Sequence, residues 1–202
     1  MAEQILDGTT GASRARVDNN NQLHTFAVTE TEQRQAAVVG NEYNINTGSI
    51  AFTTNSDTRT TILYFKNDED DDYVITAVAV GLGTRSATVS DAANIWVVKN
   101  PLSGTTITNA NNVDINSNTN FGSSKSLKTT TLAYKGADGE GATSGGADHA
   151  LLYMSDGRLY ASLNIVIPRG GSLAIEIDGN TSGGFNVYGA LIGYLKDPRN
   201  QE

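Results

Sequence analysis

The stretch Tyr73–Leu82 constrains the fold most. Val74, Thr76, Val78 and Val80 fall on one face of an extended chain, and Ile75, Ala77 and Ala79 on the other. A strand that is apolar on both faces belongs in the middle of a packed sheet, so the chain must build layers around it. A period of two starts at Asn41. Tyr43 and Ile45, then Ile50 and Phe52, flank a turn at Thr47-Gly48. The segments 61–65, 94–99, 127–134, 150–154, 163–167, 173–177 and 185–195 continue the pattern, giving about nine strand candidates. Between them lie the turn signals Asp156-Gly157, Pro168-Arg169-Gly170-Gly171 and Asp178-Gly179-Asn180. Helices do not alternate with these strands, which excludes a βαβ design. The expected fold is all-β: a jelly-roll-like β-sandwich with an extended N-terminal arm and one short helix.

The expected division is residues 1–40, an arm and short helix for partner docking, and residues 41–202, the sandwich body. Met1–Asn21 holds Gly8, Thr9, Thr10, Gly11, Ser13 and the run Asp18-Asn19-Asn20-Asn21, with few large apolar groups. Such a segment cannot bury enough surface to fold alone. Thr29–Val39 reads as the helix, with Thr29 or Thr31 as cap, early Glu residues at the positive end of the dipole and Gly40 at the exit. The polar stretches 103–125 and 135–148 read as long loops. Isolated Ile107, Val113, Ile115 and Phe121 are expected to dock the first of them on the sandwich.

Composition narrows the chemistry. Lys+Arg number 14 against 22 Asp+Glu, a formal net charge of −8, so phosphate backbones and anionic membranes are unfavourable partners. With 0 Cys there are no disulfides, zinc–thiolate sites or cysteine nucleophiles, and only 2 His titrate near neutral pH. Met1–Gly8 has neither a basic nor an apolar signal region, and no apolar run approaches the ~18 residues of a membrane span. Neither a nucleic acid nor a membrane is expected as a partner, and assembly in a cytoplasm-like compartment is the expected setting.

Several residues could carry chemistry, and each has a plainer reading. Asp68 to Asp72 supplies five adjacent carboxylates. Calcium wants six to eight converging oxygens. This run lacks the central Gly and closing Glu of a calcium loop, so a solvated hairpin tip is expected. His149 follows Asp148, but no nucleophile elbow accompanies it, and His24 falls on the polar face of an alternating segment. Glu176, between Ile175 and Ile177, is expected opposite the Ile residues, toward solvent or a partner. Gly136, Gly139, Gly141, Gly145 and Gly146 resemble a phosphate loop in composition only. Trp96, between Ile95 and Val97, reads as a core anchor. The chain is therefore expected to be non-enzymatic, with no catalytic, cofactor or metal residues.

One pattern carries a resemblance. Ile5-Leu6-Asp7-Gly8-Thr9-Thr10-Gly11, Ala15-Arg16-Val17-Asp18-Asn19-Asn20-Asn21-Gln22-Leu23 and Tyr43-Asn44-Ile45-Asn46-Thr47-Gly48 together resemble the N-terminal region of tailed-bacteriophage virion structural proteins. Ile167-Pro168-Arg169-Gly170-Gly171-Ser172-Leu173-Ala174-Ile175 and Gly189-Ala190-Leu191-Ile192-Gly193-Tyr194 resemble the closing strands of viral jelly rolls. The resemblance implies a capsid decoration (cement) protein of the virion, trimeric, without catalysis or cofactor, whose partner is the major capsid protein or another virion protein. Its arm would dock through Ile5, Leu6, Arg14, Arg16, Val17, Leu23 and Phe26. Two alternatives stand beside it: a tail, baseplate or fibre-adaptor protein, and a carbohydrate-binding or polysaccharide-cleaving β-sandwich. Exposed aromatics would favour the last. Tyr64, Phe65, Tyr153, Tyr160, Tyr188 and Tyr194 lie inside strands, where core or subunit contacts are expected.

Overall fold

In a computed structural model of the chain, the structure describes residues 4–6, 14–17, 23–24, 31–52, 59–85, 92–115, 117–178 and 184–196. The chain divides into two compact units, Met1–Glu32 and Gln33–Glu202. In the first, β1 (Gln4–Leu6), β2 (Arg14–Val17) and β3 (Leu23–His24) form a three-stranded antiparallel sheet.

The second unit is the sandwich. One sheet holds β4 (Glu42–Asn46), β5 (Ile50–Phe52), β7 (Asp72–Arg85), β12 (Arg158–Ile167) and β14 (Phe185–Lys196), in the order β12-β7-β14-β4, with β5 also on β14. The other holds β6 (Thr60–Lys66), β8 (Ala93–Lys99), β9 (Asn111–Asn112), β10 (Leu132–Lys135), β11 (Ala147–Met154) and β13 (Ser172–Asp178), in the order β11-β8-β13-β6-β10-β9. The pairing is nested. β4 and β5 lie on β14, β6 on β13, β7 on β12 and β8 on β11, all antiparallel. The chain is thus one long hairpin folded over and rolled up, which is the jelly-roll winding. Gly48, at φ 63, turns the chain between β4 and β5.

The two inner faces meet in one core, with Ile45, Ile62, Phe65, Tyr73, Ile75, Val78, Ile95, Val97, Ile175 and Leu191 buried. β7 is interior, as its two apolar faces require, but its alternation slips. Ile75 and Val78 both face the core, because Thr76 is an extra residue between the pairs Ala77↔Ile192 and Ile75↔Gly193. The Thr76 hydroxyl donates to the Ile192 carbonyl at 3.2 Å and seats the bulge. Beyond Thr76 the expected faces are therefore exchanged.

The helix is α1 (Glu32–Val39), ending at Gly40 with φ 75. Ala36 packs on Val74 and Tyr194, so α1 closes part of the outer face of the five-stranded sheet, and the division between the compact units falls at Glu32/Gln33. A second helix, the single turn α2 (Thr105–Thr108), was not expected. It lies in the excursion 100–146 that joins β8 to β11. Ile107 packs with Tyr64, Trp96 and Tyr134 on the outer face of the six-stranded sheet, and Val113 and Ile115 pack on the main core. Phe121 does not dock: it is 99% exposed.

Candidate functional site

The expected docking residues Ile5, Leu6, Arg14, Arg16, Val17 and Leu23 lie on the strands of the first unit, while Phe26 and the proposed cap Thr29 lie outside the described residues. These strands pair with one another rather than running on singly, with Leu6 opposite Arg14 and Val17 opposite Leu23. His24 pairs with Arg16 on the same sheet.

Glu176 is corrected most by the structure. Alternation does turn it away from the Ile residues, but the outer face of its sheet is covered there, and Glu176 is 0% exposed. Its neighbours in register are Trp96 on β8 and Thr61 on β6. The excursion passes overhead: Thr143 N–H and Thr143 Oγ1 donate to Glu176 Oε1 at 2.7 and 2.5 Å. Thr61 Oγ1 lies 3.3 Å from the same oxygen and 3.2 Å from the Gly141 carbonyl, and its one proton serves one of them at a time. Glu176 Oε2 meets Arg59 Nε at 2.5 Å as an ion pair whose N–H is not aligned for a hydrogen bond.

Arg59 then spans the sheet. Its guanidinium carbon lies 4.3 Å from the centre of the Trp96 ring, and its far end forks onto Asp148 of β11 at 2.5 and 3.1 Å. Burial works to lower the Arg59 pKa, but the hydrogen bond to Asp148 and the charges of Glu176 and Asp148 outweigh it and raise the value. Asp148 is held below the usual carboxylate range, chiefly by its hydrogen bond from Arg59. Trp96, expected as a core anchor, is instead half-buried on the outer face, serving as a platform for the cation. One arginine thus bridges both carboxylates, Glu176 beneath the loop and Asp148 on β11. What the arrangement does chemically is pin a loop to a sheet.

Gly136 marks where that loop leaves the sheet. A Cβ there would stand 1.8 Å from the Thr61 carbonyl oxygen, and one at Gly146 2.8 Å from the Lys99 carbonyl oxygen, so these two glycines answer to close backbone approach, whereas Gly139 and Gly141 face open space.

The acidic run is only partly a solvated tip. Asp70 meets Lys128 at 2.8 Å and Arg169 at 2.9 Å; the hydrogen bond from Lys128 contributes most to lowering its pKa. Glu69 turns inward and is buried, accepting from Lys128 N–H at 2.6 Å and Thr131 Oγ1 at 2.7 Å. Asn67 beneath it is fully buried, donating to the Asp71 and Ile167 carbonyls at 3.0 and 2.9 Å. The run is a braced corner.

His149 is exposed and is the extra residue of a bulge between Asp148 and Ala150. It borders an opening of about 370 Å³ walled by the end of β12, the start of β13 and the end of β8, with Asn164, Ile165, Leu173 and Lys99 among its lining residues. Tyr64, Phe65 and Tyr194 are buried as expected, but Tyr153 and Tyr160 are each 66% exposed and Tyr188 is 43% exposed. Tyr160 and Tyr188 stand beside a shallow groove of about 480 Å³ floored by Ala79, Gly81 and Ala190.

No protein-family model matches the chain, and no curated protein matches it. Among the described residues, no group of three or more His, Cys, Asp or Glu side chains could hold a metal ion, and no helix is long and apolar enough to cross a membrane.

Proposed function

We propose that this is a non-enzymatic phage virion protein that decorates the outer surface of the head, attached by its N-terminal unit. One observation carries the reading. Met1–Glu32 is a compact unit of its own whose strands are 3, 4 and 2 residues long, while the body has a complete core. So small a sheet gains too little from burial and pairing to hold itself together, and gains it by lying on a partner. The resemblance of Ile5–Gly11 and Ala15–Leu23 to the N-terminal region of phage virion proteins names that partner as the major capsid protein or a neighbouring virion protein. The jelly-roll winding fits, since this architecture recurs in viral capsid domains. An acidic body suits the outer surface, away from packaged DNA.

Copy number in purified particles tests the reading. A decoration protein is present in proportion to the repeating capsid lattice. A count matching one ring at the tail moves it to the tail, baseplate or fibre adaptor, and absence from the particle overturns the proposal. The exposed Tyr160 and Tyr188 keep a glycan-binding reading open to the same sample: retention on immobilised polysaccharide, lost in Tyr160→Ala with Tyr188→Ala, would favour it.

A further inference from the structure

Gly81 sits in β7 at a place where packing has no use for a glycine. It is paired with Arg158 of β12 on one side and with Tyr188 of β14 on the other, and neither pairing is bulged at that rung. Glycine weakens the interior of a strand, and it occurs there where something must pass close to the backbone. Two other glycines of this sheet meet that need from within the protein. A Cβ at Gly83 would lie 2.6 Å from the Tyr188 ring, and one at Gly193 would lie 2.5 Å from the Tyr73 ring. A Cβ at Gly81 would meet nothing within 4 Å.

The space above Gly81 is the groove of about 480 Å³ on the outer face of the five-stranded sheet. The strand register builds it. Alternate residues of β7 face outward, and two successive rungs read Tyr160–Ala79–Ala190–Asn46 and Arg158–Gly81–Tyr188. Tyr160 and Tyr188 therefore share one face, on the two strands that flank β7. With strands about 4.8 Å apart and residues about 3.4 Å apart along each, their backbones stand about 12 Å from one another. Between them the floor carries nothing larger than a methyl group, at Ala79, Gly81 and Ala190. The Tyr188 ring lies over Gly83, which keeps it down across β7. Both rings remain exposed.

The chemistry of the groove selects its occupant. β7 and β14 are interior strands whose backbone groups are already paired, so no peptide strand can add here. A floor of Ala and Gly holds no large apolar anchor of the kind that centres a protein interface. A chain of net charge −8 disfavours nucleic acid. What remains is two exposed phenol rings, a flat floor, and polar tips around the rim: the tyrosine hydroxyls, the Asn46 amide and the Arg158 guanidinium. A sugar ring has the matching two-sided character, with C–H groups on its flat faces and hydroxyls at its edge. The faces pack on aromatic rings and the hydroxyls pair with a few fixed polar groups.

We infer that the outer face of β12, β7 and β14 is a carbohydrate-binding groove, in which Tyr160 and Tyr188 pack on sugar rings and the glycan chain passes over Gly81. The inference rests on and deepens the glycan reading above, and it does not depend on attachment of the N-terminal unit to a particle.

The test is a glycan array of bacterial O-polysaccharides, capsular polysaccharides and neutral glucans, probed with the purified full chain. Titration calorimetry with an oligosaccharide of the best-retained type then gives the dissociation constant. Tyr160→Ala and Tyr188→Ala should each raise it about 10-fold or more. Gly81→Thr should do the same while its melting temperature stays level or rises, because threonine favours strands and the space above is open. That pair of readouts separates a groove kept clear for a ligand from a glycine that packing requires. Tyr153→Ala, which removes an equally exposed ring from the other sheet, should bind as the wild type does. No binding to any printed glycan, an affinity indifferent to Tyr160→Ala and Gly81→Thr, or a lower melting temperature in Gly81→Thr would overturn the inference. No particle takes part in the assay. Glycan binding by a protein absent from virions would leave the groove standing, and a virion protein blind to every glycan would remove only the groove.

Discussion

Replacing Glu176 by Ala removes the acceptor that holds Thr143, Thr61 and Arg59 on the outer face of the six-stranded sheet. Breaking a buried ion pair on one side costs about 3–5 kcal/mol, because the remaining charge is stranded. Two facts place this case at the low end. The Arg59 side chain keeps 25% of its surface in solvent, and it retains Asp148 as a partner. About 3 kcal/mol, at about 2–4 °C per kcal/mol for a domain of this size, predicts a fall in melting temperature of about 6–12 °C. Thermal unfolding followed by circular dichroism at pH 7 measures it, and hydrogen exchange should show the Thr143 amide losing protection first. The charge-stranding argument makes a sharper claim about the pair. Arg59→Met with Glu176→Leu leaves no buried charge behind, only Asp148, whose side chain is 49% exposed to water, so the double variant should be more stable than Glu176→Ala alone. A fall under about 2 °C for Glu176→Ala, against the 6–12 °C expected, or strictly additive losses in the double variant, would refute the reasoning.

Gly136→Ala should destabilise the body by at least the ~1–3 kcal/mol of ordinary overpacking, since the new methyl meets a backbone carbonyl that cannot swing aside; chemical denaturation reads it. Asp148 has a pKa depressed by Arg59, so its contribution is present above its unfolded value of about 4 and is lost as the pH falls through the lower folded value. Being an exposed pair, it is worth under about 1 kcal/mol at neutral pH, and Asp148→Asn should narrow the gap between stability at pH 7 and at pH 2.5–3 by about that amount. Cutting the chain before Thr31 should leave the melting temperature of the body unchanged. Cutting after Gly40 should lower it, because that removes Ala36 from Val74 and Tyr194.

What could be read from the sequence followed from period-two burial. β6, β7, β8, β13 and β14 are buried on one or both faces, and each appears in the sequence as an unbroken or alternating apolar run. The first half of β12, Arg158–Ser162, was missed because an edge strand open to solvent carries no such signal. The segment 127–134 suggests one strand, but only its end is extended: Leu127 is buried, the chain turns at 129–131 and the strand runs from Leu132 to Lys135. Thr76 looks like any polar position in an alternating strand, so its bulge stayed hidden.

The loop-pinning cluster was out of reach for a different reason. Arg59 and Asp148 are 89 positions apart, and no local pattern connects them. Glu176 was placed on the correct face, but the covering loop that makes that face an interior is a tertiary fact. The signal that could have found it is chemical. A lone acid in an otherwise apolar strand, in a chain with long Thr- and Gly-rich loops, calls for a covering donor, since an acid among buried neighbours must be paired.

The most direct test of the account is attachment to particles. Purified full-length protein should bind capsids that lack it and saturate at a lattice-related number of copies, and the same protein cut before Thr31 should stay folded but fail to bind. Full occupancy by the cut protein would contradict the claim that the N-terminal unit is what joins this sandwich to its partner.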